Sequence, residues 1–213
     1  MIKPNSPAEL QLYNFELLAR KHYQKLLKNS PNSAETKKAM AKDMAHLNKE
    51  RERILRPAEA RAILASYRTN SESSSIEQKM EEKYRPTKVL QKNLRAAGEM
   101  KPSVNHEAHH IICCKGRWDQ AAVMRARLNL HFNGIGINDA KNGVWLFNNP
   151  NNKQYDWGTP DAPAHKTIHT KKYETWLGDN LGRKALRDDK SLFINELRIA
   201  KILIKDGNFP TLG

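Results

Sequence analysis

Two groups of histidines in this chain have a spacing that could do chemistry. His109 and His110 are adjacent in EAHHIICCK, and His165 and His169 lie four residues apart in APAHKTIHTKKYETWL. A neutral imidazole binds divalent transition metals, and with an ordinary pKa of about 6.5 it is also a base at neutral pH. The run around His109 and His110 is β-prone. Successive side chains of a strand leave on opposite faces, so these two rings do not chelate one ion together. They can divide the labour, one holding a metal and the other facing a substrate. Around the second pair, Ile168, Tyr173, Trp176 and Leu177 recur at helical spacing. This predicts a helix that carries both imidazoles on one face, within reach of one cation. Each pair alone also fits a bland reading, as packed histidines in the first case and solvated ones in the second.

Between the two groups, GINDAKNGVWLF supplies the turn Lys141-Asn142-Gly143 and then the apolar strand Val144-Trp145-Leu146-Phe147. Asn-Gly is first of all a turn signal. The order along the chain is nevertheless a strand with His-His, a turn with Asn leading into a second strand, and HxxxH, which is the order of a ββα metal finger. The same window holds Trp118, Trp145, Trp157 and Trp176, all the tryptophans of the chain. They read as core aromatics, with base stacking a lesser alternative for Trp157 in its polar loop. His106 and His131 fit no position of the pattern.

The elements that must position this window are mostly helices. Ser6-Pro7 with Glu9 predicts a helix start, and Leu10, Tyr13, Leu17, Leu18 and Leu27 mark a helix over 7–28. A second helix is expected over 34–55, with Met40, Met44, Leu47 and Ile54 on one side, and Pro57 kinks or restarts it. The Ser-rich stretch TNSESSS (69–75) reads as a flexible linker and the best internal boundary. Residues 1–75 then form a helical region for docking or linkage, and 76–213 form the second domain. After helices near 76–84 and 89–97, closed by Gly98, the final SLFINELRIAKILIKDG predicts an amphipathic helix capped by Gly207.

The 213 residues carry 37 Lys and Arg against 23 Asp and Glu, a net charge of +14. A polyanion such as nucleic acid is the partner class this favours. No run of about 18 apolar residues exists to span a membrane. The start lacks the pattern of a secretory signal peptide, so any export is expected by another route. Cys113 and Cys114, adjacent and alone, exclude a disulfide framework.

From about Leu90 to Leu181 the chain resembles the AHH nucleases of the HNH/endonuclease VII superfamily. The resemblance rests on NLRAAGEMKP, AHHII at 108–112, the helix AAVMRARLNL, INDAKNGVWLF at 137–147, and HKTIHTKKYETWL. It implies an α+β, mainly helical fold in which N-terminal helices precede a ββα-metal (His-Me finger) core with extra helices. It further implies that His109, His165 and His169 hold one divalent metal ion, Mg2+ or Zn2+/Ni2+. His110 would be the general base, and Asn142 would orient that base or the site. Arg117, Lys141 and Lys166 are candidate phosphate contacts. The activity implied is endonucleolytic cleavage of DNA with little sequence preference, in an antibacterial effector toxin. Such a toxin is made in the bacterial cytoplasm, exported, and active in the cytoplasm of a target cell. Its partners would be DNA, an acidic immunity protein and a secretion-system component. The alternatives are an RNase on the same fold and a non-enzymatic nucleic-acid-binding module with structural zinc, whose fourth ligand would have to be Cys113 or Cys114. The chain departs from the family in following AHHI with Ile112-Cys113-Cys114 instead of Val-Pro, a change expected to concern packing.

Overall fold

A computed structural model describes residues 6–54 and 57–209 of the chain, so the expected helix end at Leu55 lies outside the described residues. The first helix, α1 (Pro7–Asn29), starts as the sequence predicts, with Ser6 Oγ accepting from the Glu9 amide at 3.2 Å and Pro7 in the first turn. Its inward face differs from the leucine stripe. Leu12, Ala19 and Tyr23 are fully buried, whereas Leu10, Leu17 and Leu18 are half exposed. α1 packs on α2 (Ala34–Ile54), whose Leu47 is buried and whose Met40, Met44 and Ile54 are partly covered, as expected.

The chain restarts as α3 (Pro57–Ser73), and this helix corrects the flexible linker: residues 69–73 of TNSESSS belong to its last turns. Ser71 Oγ donates back to the Tyr67 carbonyl (2.9 Å), and the buried Lys79 ammonium closes the helix end by donating to the carbonyls of Ser71 and Ser74. Partner-poor serines read as linker in a sequence, but here their hydroxyls and carbonyls are satisfied locally. Ser75 then opens α4 (Ile76–Glu81) through a capping box with Gln78.

Next comes α5 (Lys88–Ala96), closed by Gly98 at φ +85°, with Glu99 N bonded to Leu94 O and Gly98 N to Arg95 O. A left-handed residue with this bond pair is a Schellman stop, which favours glycine. The sheet consists of β1 (His106–His110) and β2 (Gly143–Phe147), antiparallel, with His106 opposite Phe147 and His110 opposite Gly143. Between the strands lies α6 (Gln120–Phe132), and after them α7 (Lys171–Leu181) and α8 (Lys190–Lys205). Every residue of β2 is buried because both faces of the sheet are covered. Ala108 and Trp145 face Leu90 and Leu94 of α5, while Val144 and Leu146 join the main core with Tyr173, Leu177 and Phe193. Alternation along the strands thus sends neighbouring residues into different layers. The result is a mainly helical α+β fold around a two-stranded sheet. Among the described residues, no helix is long and apolar enough to cross a membrane.

His131, which fits no motif, is a buried structural group. It accepts from Arg127 Nε (3.2 Å) and donates from Nδ1 to the Ile135 carbonyl (3.0 Å). Burial, helped by the nearby Arg127 and Lys79 charges, pushes its pKa down to about 4. The unfolded chain takes up this proton near pH 6.5 and the folded chain does not, so stability is complete above about pH 6.5 and falls as pH drops towards 4. By linkage the loss attributable to His131 is about 3 kcal/mol. Urea midpoints measured from pH 7 to pH 4.5 should fall, and His131→Gln should flatten that slope. An unchanged slope in the variant would remove His131 from the account.

Candidate active site

The site is built on β1 and on the segment that leads into α7. Glu107 and His109 leave β1 on one face, and His110 leaves on the other. His109 is buried, 5.2 Å ring to ring from His165 and 5.0 Å from His169, while His165 and His169 are 5.9 Å apart. One nitrogen from each ring lies within 4.8 Å of the others. The three predicted ligands therefore meet, but not in the predicted way. His165 and His169 are not on a helix. α7 begins only at Lys171, and Thr170 caps it by accepting from the Tyr173 amide (3.1 Å). The preceding residues form a turn held by Thr167 N to Ala164 O (2.9 Å), and Trp118 Nε1 donates to the His169 carbonyl (3.2 Å). Ile168 between them is buried in the core, so the two rings flank an anchored residue.

Hydrogen bonds fix which nitrogen two of the rings offer. The Tyr173 hydroxyl donates to the Ile111 carbonyl (2.7 Å), so towards His109 Nε2 (3.2 Å) it can only accept. Nε2 carries the hydrogen, and Nδ1 of His109 keeps its lone pair. In the same way the Glu107 carboxylate accepts from His165 Nδ1 (2.9 Å), which leaves Nε2 of His165 for a ligand. Burial holds the pKa of His109 well below its ordinary value, with the charges of His165 and His169 adding to the effect, and desolvation lowers that of His169 too. Both rings are neutral at pH 7, the form that binds a metal. Three converging imidazoles, two of them oriented, fit a divalent cation, and a carboxylate behind a ligand ring, as Glu107 is behind His165, is a usual support of such a centre.

His110 shares a cleft of about 610 Å³ with these three residues, Glu107 and Arg85. Its Nε2 is 3.0 Å from Asn138 Oδ1 and its ring meets Tyr84 edge-on. Burial lowers its pKa, opposed by the Asn138 bond. None of the hydrogen bonds of the Asn142 side chain goes to it, so of the two expected roles, orienting the base or the site, the bonds of Asn142 favour the second. The Asn142 side chain is consumed by backbone: Oδ1 accepts from Ile112 N (2.8 Å), and Nδ2 donates to Ile112 O (3.0 Å) and Ile137 O (2.9 Å). It ties the chain just after His110 to the turn before β2, and so positions the site through the backbone.

Arg117, Lys141 and Lys166 are absent from the lining of this cleft. The Arg117 guanidinium lies 4.9 Å over the exposed Trp118 ring. Lys141 is partly buried close to Asp139, Arg68, Lys190 and Glu72, and burial lowers its pKa. Lys166 is exposed beside His165, with its amide on the Asn148 carbonyl (3.3 Å). The cation that does line the cleft is Arg85, which the sequence did not single out. Trp157 is buried, its Nε1 donating to Asp43 Oδ2 (2.8 Å), so it is a core residue and not a stacking platform. His106 is enclosed by Ser103, Thr159 and Asp156, and as expected it takes no part in the cleft. Cys113 packs against the core and burial pushes its thiol up to about 12, in keeping with a packing role.

A two-stranded antiparallel sheet with His-His at the end of one strand, followed by two more histidines before a helix, is the arrangement expected of a metal-finger nuclease. Residues 90–201 match the AHH family, described as a nuclease family of the HNH/ENDO VII superfamily with conserved AHH. The match covers more than half of the chain, and the chain belongs to this family. It is a nuclease of a metal-dependent superfamily. No curated protein and no solved structure matches it.

Proposed function

We propose that the protein is an endonuclease that hydrolyses DNA with little sequence preference and serves as an antibacterial effector toxin. The observation that carries the chemistry is His110, neutral and oriented, in the same cleft as the three-imidazole cluster. His110 takes the proton from the attacking water, because its Nε2 is engaged and Nδ1 is the nitrogen left to accept. His109, His165 and His169 would hold the divalent cation, which when bound supplies a Lewis acid for the phosphoryl and leaving oxygens. Arg85, at the cleft wall and without a carboxylate partner among the described contacts, binds a non-bridging phosphate oxygen. Backbone contacts of this kind read no sequence. The +14 charge suits a nucleic-acid substrate and an acidic immunity protein. A structural zinc site usually has four protein ligands, and among the described residues the cluster holds three histidines and neither cysteine, which favours catalysis over the zinc module.

The test is incubation of the full chain with plasmid DNA and, separately, total RNA, with Mg2+, Zn2+ or Ni2+ and with chelator. Plasmid should be cut and chelator should stop it. Cleavage of RNA with intact plasmid would make the protein an RNase, and no cleavage of either would leave the zinc module. Arg85→Ala is expected to slow cutting about 10- to 100-fold, the worth of one charge-assisted hydrogen bond. An unchanged rate would take Arg85 out of the substrate contacts.

A further inference from the structure

We infer that Glu82 and Asn138 are positioning residues that select which nitrogen of His110 is free, and that Tyr67 of α3 locks them in place. The use made of that nitrogen rests on the reading of His110 as base. Asn138 is fully buried, and its amide orientation is settled by its neighbours. Nδ2 donates to Glu82 Oε1 (2.7 Å) and to the Lys83 carbonyl (2.9 Å), two groups that only accept. Turning the amide over would press its oxygen against both. Oδ1 must therefore face His110 Nε2 at 3.0 Å, and because a carbonyl oxygen cannot donate, Nε2 carries the hydrogen and Nδ1 the lone pair.

Glu82 is in turn held from several sides. The Tyr67 hydroxyl donates to its carboxylate at 2.8 and 3.1 Å, and Ile137 N donates to Oε2 at 3.1 Å. Tyr67 also accepts from Asn138 N (3.0 Å), and Asn93 Nδ2 donates to the Asn138 carbonyl (2.8 Å). Every atom that could let Asn138 swing is engaged. The ionised carboxylate matters because it is an acceptor only. An amide at position 82 could present N–H₂ to Asn138, permit the reversed orientation, and turn an N–H towards His110 Nε2. The hydrogen of His110 would then move to Nδ1, and the proton acceptor would be lost from its place. A network of this length also draws α3 into the site, although no residue of α3 lines the cleft.

The test is ring ¹⁵N NMR of the full-length chain labelled on histidine, with His110 assigned by its absence in His110→Ala, run beside steady-state cleavage and metal binding. Wild type should show the Nε2–H tautomer at His110. Glu82→Gln, and Asn138→Ala as a second variant, should show a mixture or the Nδ1–H tautomer, with kcat down about 10- to 100-fold and KM and metal affinity unchanged. An unaltered tautomer in both variants would overturn the inference, whatever the rate. A shifted tautomer with undiminished kcat would uphold the network and overturn the role of His110 as base.

Discussion

Replacing His110 by alanine is expected to slow cleavage roughly 10²- to 10⁴-fold, the usual contribution of a general base, while metal affinity stays near wild type. The separation follows from the strand. His109 points towards His165, His169 and Tyr173, and His110 leaves the opposite face of β1 towards Asn138 and Tyr84. Adjacent residues of the same type are thereby given different surroundings: one is enclosed by imidazoles, the other by an amide and the cleft wall. A group that offers nothing to the ligand cluster cannot weaken it when removed. Single-turnover cleavage and metal titration on the same preparation would check this, and an equal loss of both in His110→Ala would mean that the two adjacent histidines have exchanged roles.

Deleting residues 1–75 is expected to leave a chain that is inactive and unstable. The sequence alone suggests the contrary, because TNSESSS looks like a break after a dispensable helical region. In the structure Asp43 of α2 accepts from both Tyr23 and Trp157, binding the helical pair to the loop after β2. Arg68 makes a bidentate bond to Asp139 (2.8 and 3.0 Å), the residue that caps the turn before β2. Removing α1 to α3 uncovers Trp157 and Met100, each about 1.5–3 kcal/mol when fully buried. It also leaves Asp139 without its guanidinium and Glu82 without Tyr67. Against a typical total of about 5–15 kcal/mol these losses are large. Thermal melting by circular dichroism and plasmid cutting would read the outcome. A soluble chain starting at Ile76 with wild-type activity would show that the nuclease needs none of these contacts.

Local grammar made much of this legible. The Ser6 cap, the Gly98 and Gly207 stops, the helix limits near 28 and 96, and the strand before Phe147 follow from side chains acting on their own backbone. That His109, His165 and His169 lie together follows the family resemblance and not local grammar, and their geometry was not legible. Spacing of four is equally satisfied by a turn in which Ile168 is buried between two rings, and the Thr170 cap that starts the helix after them carried the deciding signal. Asn142 drew attention through its turn, whereas Asn138 four residues earlier bonds to the His110 ring. Nothing local distinguishes them, because the partners of Asn138 are Glu82 and Lys83, more than fifty residues away. Glu107 and Tyr173 could have been found, since Glu107 shares a strand face with His109 and Tyr173 follows His169 by four.

The central claim is that His109, His165 and His169 hold one cation while His110 does not. Its most direct test is metal content per chain after equilibration with Zn2+ or Ni2+ and removal of free ion, for wild type and the four single alanine variants. One ion per chain is expected in wild type and in His110→Ala, and loss or marked weakening in His109→Ala, His165→Ala and His169→Ala. Full occupancy in any of these three would remove that residue from the centre, and full occupancy in all of them would contradict the account.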